Sequence, residues 1–317
     1  MKTVLVTGGC GFIMSNFARF LLGHGYRVIN LDALTYAGRI ENTAGMQTNK
    51  NYTFIKGSIC DKKIVAPLVR KADIIVNGAA ETHVDRSING AEDFVNTNVY
   101  GTYVLLESCS QAGGKRFVQI STDEVYGSID AGSFTEESPL MPNSSYAATK
   151  ASGDMLVRSF VATHDLDAVI TRSSNNYGPY QHPEKMIPRF ITNLLQGKKI
   201  PLYGDGNNVR DWLFVDDNCR GIAAVMERGK PGEIYNISGR EERKNIDVAK
   251  ALLTLMGCKE GRIEFVSDRK GHDRRYSMCN DKTAALGWQP IVKFPEGLKS
   301  TVEWYRKNHA WWEAVKE

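Results

Sequence analysis

The chain has 317 residues, 42% of them hydrophobic and 24% charged, and 40 Lys and Arg against 36 Asp and Glu give a formal charge of +4. These values exclude a disordered or fibrous chain, allow one large or two closely joined domains, and give no reason to expect a nucleic-acid partner. Cysteines 10, 60, 109, 219, 258 and 279 are scattered without metal-ligand spacing, so free thiols and no metal are expected.

Met1-Lys2 runs directly into a strand pattern at Thr3–Thr7. That run is too short for a signal peptide, and nowhere do about 18 apolar residues follow one another, so no membrane contact and a cytosolic location are expected. Further strand patterns cover Arg27–Asp32, Thr53–Lys56, Asp73–Asn77, Arg116–Ile120 and Asp167–Arg172. Helical periodicity separates them at Phe12–Leu22, Lys62–Val69, Asp93–Ser110 and Tyr146–His164. Strands alternating with helices of this length predict a doubly wound parallel sheet of the Rossmann type. Beyond Ser173 the turn residues of Asn176-Tyr177-Gly178-Pro179 and Gly204-Asp205-Gly206-Asn207-Asn208 break the rhythm, with later helices at Ile246–Leu255 and Pro295–Lys307. A smaller C-terminal domain is expected, interleaved with the first by a returning strand such as Asp216–Val225 or Glu233–Ile237.

Thr7-Gly8-Gly9-Cys10-Gly11-Phe12 joins the first strand to the first helix. Glycines there let a dinucleotide's phosphates approach backbone N–H groups at a helix N-terminus. Asp32, at the end of the second strand, can accept the adenosine ribose hydroxyls and would repel a 2′-phosphate, so NAD is expected; Arg39 is the nearby cation that could intervene. Met14 stands where a third glycine would ease helix–sheet packing. Tyr146 and Lys150, four apart, share a helix face, and an ammonium there can stabilise the phenolate that removes a hydroxyl proton. Ser121-Thr122-Asp123-Glu124 follows a strand at the ligand-binding edge of the sheet. Thr122 can bond the reacting hydroxyl, and Asp123 and Glu124 can divide acid and base work; a polar turn that merely caps the strand explains the same residues.

The chain resembles the NAD-dependent dTDP-glucose 4,6-dehydratases of the extended short-chain dehydrogenase/reductase superfamily. The resemblance rests on residues 81–87 (ETHVDRS), 121–127 (STDEVYG), 174–180 (SNNYGPY), 203–206 with 208–212, 235–237, and 268–269 with 271–276. It implies a mainly NAD-binding part over 1–173 and a mainly sugar-nucleotide-binding part over 174–317, with some segments returning to the first. It implies a mechanism in which Tyr146, helped by Thr122 and Lys150, deprotonates the glucose 4-hydroxyl as NAD takes hydride from C4. Glu124 then removes the C5 proton, Asp123 protonates the departing C6 hydroxyl, and the hydride returns to C6. Gly8, Gly11, Phe12, Ile13, Asp32, Ser58, Ile59, Ala79, Ala80, Thr97, Tyr146 and Lys150 would hold NAD. His83, Thr122, Asn175, Tyr203, Arg210, Asn236, Arg269 and His272 would hold the substrate, with Arg210 on the diphosphate. Subunits would pair as a homodimer through helices 93–110 and 146–164, with Val99, Tyr103, Ala151, Met155 and Phe160 in the seam. Four positions depart from the family pattern: Met14, Ser58 in place of an Asp, Gly78 in place of a bulkier residue, and Thr82 in place of Ser. Two other readings are an epimerase, decarboxylase or UDP-sugar or N-acetylhexosamine dehydratase on the same fold, and a non-catalytic nucleotide-binding protein. The Asp123–Glu124 pair argues against simple epimerisation, which needs no acid for a leaving hydroxyl.

Overall fold

The computed structural model describes residues 1–268 and 271–316. The apolar runs near the N-terminus become β1 (Thr3–Thr7), β2 (Arg27–Asp32), β3 (Tyr52–Lys56), β4 (Ile74–Asn77), β5 (Arg116–Thr122) and β6 (Ala168–Ser173). Every residue of β1, β4 and β6 is buried, as strands covered on both faces must be. Side-chain alternation divides them between two cores. Val4, Val6, Val76 and Val118 face the helices Phe12–Gly23 and Val215–Arg228. Leu5, Ile75 and Phe117 face the helices Lys62–Lys71, Thr102–Gln111 and Ser145–His164.

The second half adds β7 (Asn175–Tyr177), β8 (Ile200–Tyr203), β9 (Val209–Phe214), β10 (Ile234–Ile237), β11 (Glu242–Lys244) and β12 (Ile263–Val266). β10 leaves that half and pairs in parallel with β6, giving a seven-stranded order β10-β6-β5-β4-β1-β2-β3 among the described residues. All of its pairings are parallel. A third core, built on Ile187, Phe190, Trp212, Leu252, Leu298 and Tyr305, holds the second half together.

The returning strand is the Glu233–Ile237 candidate, seen as β10, and not Asp216–Val225; the expected helix over 93–110 is present but irregular. Val215–Arg228 is a helix and not a strand: its buried Val215, Cys219, Ile222, Ala223 and Met226 recur at helical spacing and pack toward the Phe12–Gly23 helix. The Asp93–Ser110 pattern is helical throughout but contains a π-type segment, Val95–Gly101, between Glu92–Phe94 and Thr102–Gln111. No described helix is long and apolar enough to cross a membrane.

Candidate active site

The turn after β1 borders a cavity of about 340 Å³ at the carboxyl ends of the parallel strands. Gly8 has φ +71°, and a Cβ there would lie 2.7 Å from the Ala79 Cα, so the close approach of turn and β4 end requires glycine. Gly11 precedes the Phe12–Gly23 helix, whose first turn carries no acid and no side-chain cap. Its N–H groups and positive dipole end are therefore offered to an anion. Asp32 is buried at the end of β2 and accepts the N–H groups of Cys10 at 2.8 Å and Leu34 at 2.7 Å. Burial raises its pKa, and those two bonds oppose the rise. Phe12, Ile13, Ser58, Ile59, Ala79, Ala80 and Thr97 complete this wall with Gly8, Gly11 and Asp32. Arg39 also lines the cavity, but its guanidinium bonds Glu41 at 3.3 Å and the Ala314 carbonyl at 3.1 Å. The residues present fit a dinucleotide: a glycine cradle, an open helix end and a carboxylate for ribose hydroxyls.

Met14 and Gly78 touch each other. A Cβ at Gly78 would fall 2.2 Å from the Met14 Sδ, so the missing side chain at 78 makes room for the extra one at 14. Ser58 accepts the Cys60 N–H at 3.1 Å, and the Thr82 carbonyl accepts from Lys185 at 2.9 Å.

β5 ends on Thr122, and a tight turn over Asp123–Tyr126 follows it. The Thr122 hydroxyl donates to Asp123 Oδ1 at 3.1 Å and accepts the Glu124 N–H at 3.2 Å. Asp123 is 2% exposed, and its Oδ2 has no hydrogen-bond partner among the described residues. Burial, then the Glu124 charge, push its pKa up to about 8. Tyr146 sits in the same wall, its pKa raised well above the usual phenol value by burial and then by Glu124 and Asp123, against a hydrogen bond with Thr122. Lys150 lies behind that wall: its ammonium donates to the Ile120 carbonyl at 2.6 Å, and burial lowers its pKa to about 8.

A second cavity, of about 540 Å³, shares Glu124, Asn175, His182, Glu184 and Lys185 with the first. His83, Tyr203, Arg210 and His272 line it. His83 Nε2 lies 3.3 Å from Glu184, and burial lowers the ring's pKa to about 4, with Lys185 next in effect. Arg210 donates to the Asp273 carbonyl at 2.9 Å and lies 4.3 Å over the Tyr276 ring. His272 bonds Asp268 at 2.6 Å. Asn236 stands apart from both cavities. It is fully buried in β10, where its side chain accepts from the Tyr126 hydroxyl at 2.8 Å and donates to the Phe134 carbonyl. Arg269 lies outside the described residues. Sequence reasoning missed Asn42, His182, Glu184, Lys185 and Trp311 in the first cavity and Arg189 and Tyr276 in the second. Gln181-His182-Pro183-Glu184-Lys185 directly extends the 174–180 motif, so His182, Glu184 and Lys185 could have been found; Trp311 carries no such local signal.

Residues 5–301 match the family described as GDP-mannose 4,6 dehydratase. The low-salt glycan biosynthesis protein Agl12 of Haloferax volcanii is 53% identical, covering 95% of this chain and 98% of that protein. The dTDP-glucose 4,6-dehydratase of Streptomyces niveus is 50% identical over 99% of this chain and 95% of its own length. Among solved structures, DesIV, a dTDP-glucose 4,6-dehydratase from Streptomyces venezuelae with NAD and TYD bound, superposes with a TM-score of 0.97 at 52% identity, covering 99% of each chain. With a Rossmann sheet, a dinucleotide cradle and a Thr122-Asp123-Glu124-Tyr146 wall in hand, the chain belongs to the dTDP-glucose 4,6-dehydratase family of the extended short-chain dehydrogenase/reductases.

Proposed function

We propose that this chain converts dTDP-glucose, or a related nucleoside-diphosphate hexose, into the 4-keto-6-deoxy sugar with loss of one water. The observation that carries this reading is the setting of Asp123: a carboxyl 2% exposed, bonded to Thr122 through Oδ1, with no partner for Oδ2 among the described residues. Glu124 is next to it, so that burial and that charge push its pKa up to about 8. An epimerase has no use for such an acid, whereas expelling a C6 hydroxyl needs one. The first cavity would hold NAD tightly, and the cofactor when bound would provide for hydride acceptance at C4 and hydride return to C6. Tyr146 takes the 4-hydroxyl proton with Thr122 bonding the same oxygen. Its pKa is raised in the chain by itself, so it needs positive charge beside it, from Lys150 and the oxidised nicotinamide. Glu124, on the wall common to both cavities, takes the C5 proton once the neighbouring ketone acidifies it. Asp123 gives its proton to the leaving hydroxyl.

Arg210, Tyr203, His83, Asn175 and His272 would hold the nucleoside diphosphate and sugar in the second cavity, with the Arg210 fork suited to the diphosphate. Residues 1–173 would serve mainly NAD and 174–317 mainly the sugar nucleotide, although Ser174–Asn176, Tyr180–His182, Glu184, Lys185 and Trp311 also line the first cavity. A homodimer is the proposed assembly, and Val95, Tyr100 and Met155, each nearly half exposed, supply apolar surface on the two expected helices. Ala151 contributes to an internal core with Val125 and Tyr126 instead of that seam. A reducing compartment, the cytosol, suits six cysteines that are all free. The deciding experiment incubates purified protein with dTDP-glucose and with UDP-glucose and weighs the products. Loss of one water from dTDP-glucose is expected; an isobaric product or unchanged sugar would refute the assignment.

A further inference from the structure

The last helix, His309–Lys316, reaches the cofactor cavity from the far end of the chain. Trp312 is fully buried and anchors it, its indole N–H donating to the Tyr305 carbonyl at 2.9 Å. Trp311 turns the other way and lines the cavity. Its indole N–H donates to the Asn42 side-chain oxygen at 2.8 Å, and Asn42, 2% exposed, passes the contact on by donating to the Cys10 carbonyl at 2.8 Å. Cys10 lies inside the glycine turn, and its own N–H donates to Asp32 at 2.8 Å. A second tie runs parallel: the Arg39 guanidinium donates to the Ala314 carbonyl, while the Arg39 N–H donates to the Cys10 carbonyl at 3.0 Å. Both ties end on one peptide group of the phosphate-binding turn.

From this continuous set of bonds we infer that Trp311 is a positioning residue for NAD, holding the glycine turn and Asp32 closed through Asn42, and that the last helix governs how fast the cofactor leaves. The inference rests on NAD occupying the first cavity. An enzyme that returns its hydride within one catalytic cycle gains from slow cofactor release, and a buried side-chain relay stiffens the turn without touching the reacting atoms. Tyr180 and Trp304 hold the indole in place, with ring centroids 5.9 and 5.0 Å from it.

The test measures NAD release from purified holoenzyme, by dilution into a trap that consumes free NAD. Trp311→Phe keeps the aromatic packing and removes the N–H donor. It is expected to release NAD about three- to tenfold faster, the range for one neutral hydrogen bond. Trp304→Phe, which disturbs the same aromatic cluster but not the bond to Asn42, is expected to stay within about twofold of the parent. Because Trp311 acts through Asn42, the double variant Trp311→Phe/Asn42→Ala should release NAD no faster than Asn42→Ala alone. Hydrogen exchange on the unmutated protein gives an independent reading: NAD should slow exchange in residues 309–315 as well as in 39–46. Release from Trp311→Phe at the parent rate, equal acceleration by Trp304→Phe, additive rates in the double variant, or exchange in the last helix indifferent to NAD would each overturn the inference. A parent protein that binds no NAD at all would instead overturn the functional reading, and this inference with it.

Discussion

Asp123 shows how a neutral-pH acid is made from an ordinary carboxyl. Its burial and the neighbouring Glu124 charge both penalise ionisation, and the Thr122 bond only partly offsets them. The raised pKa means that the proton is present below about pH 8 and lost as pH rises through that value. Turnover is therefore expected to fall on the alkaline side with a midpoint near 8, where the Lys150 ammonium also loses its proton, so Asp123→Asn should remove the Asp123 share of that limb and leave the Lys150 share. The same variant should slow water loss by roughly two to four orders of magnitude, as removal of a general acid does, while leaving C4 oxidation in place. Rapid-mixing absorbance of the reduced cofactor, paired with quenched-flow masses, separates the two steps; parent-rate dehydration by Asp123→Asn would refute the role. Met14 and Gly78 make a different residue-scale case. Each reads alone as a defect in a cofactor motif, and only their contact across 64 positions makes them complementary. Met14→Ala should cost about 2–5 kcal/mol by emptying its space, and Gly78→Val about 1–3 kcal/mol by overfilling it. The double variant should be at least about 1 kcal/mol more stable than the sum predicts. Urea unfolding of the NAD-free protein measures this, and strict additivity would mean the two sites do not share a volume.

Among the elements, the helix running from Glu92 to Gln111 carries most of the local irregularity. Its π-type segment brings Thr97 to the cofactor cavity. The same segment lets the Asn98 side chain donate to the Glu81 carbonyl at 3.1 Å and to the Thr149 hydroxyl at 3.0 Å. Wide turns of this kind often mark functional sites, because they rotate side chains out of the regular helical order. The apolar period made the helix legible over 93–110, but hydrophobic spacing is nearly blind to a turn wider by one residue. Gly101 closes the segment against Ile59, and a Cβ there would lie 2.5 Å from the Ile59 Cδ1. Gly101→Ala should therefore press Ile59 toward the first cavity, which it lines, and weaken NAD binding by about three- to tenfold, a loss of roughly 1 kcal/mol. Calorimetric titration with NAD checks it. Helix propensity alone predicts a gain in stability of up to about 1 kcal/mol from the same change, so higher stability with unchanged affinity would show that Ile59 yields freely. The Val215–Arg228 helix escaped detection for a related reason. Its Val, Ile, Ala and Met cluster looks like a strand when read in a short window, and only the buried i, i+3, i+4 set distinguishes it.

At the scale of the molecule, the first-half sheet was legible because each strand and its following helix are neighbours in sequence, and local patterns suffice for such units. Contacts that close the site were not legible: the Trp311–Asn42 bond spans 269 positions, and no period or motif joins its ends. Subunit pairing is likewise beyond a single chain's patterns, yet it makes a sharp prediction. Light scattering at micromolar concentration should give twice the 35.3 kDa chain mass, and Met155→Glu, which places a charge on the exposed apolar face, should shift the species toward monomer. A parent protein that already runs as a monomer would refute the pairing. The return of β10 to the sheet bears on the order in which the chain is made. β6 ends at Ser173, and β10, which pairs with it, ends only at Ile237. A nascent chain emerging at about 5–20 residues per second therefore carries a bare, apolar strand edge for several seconds before its partner leaves the ribosome.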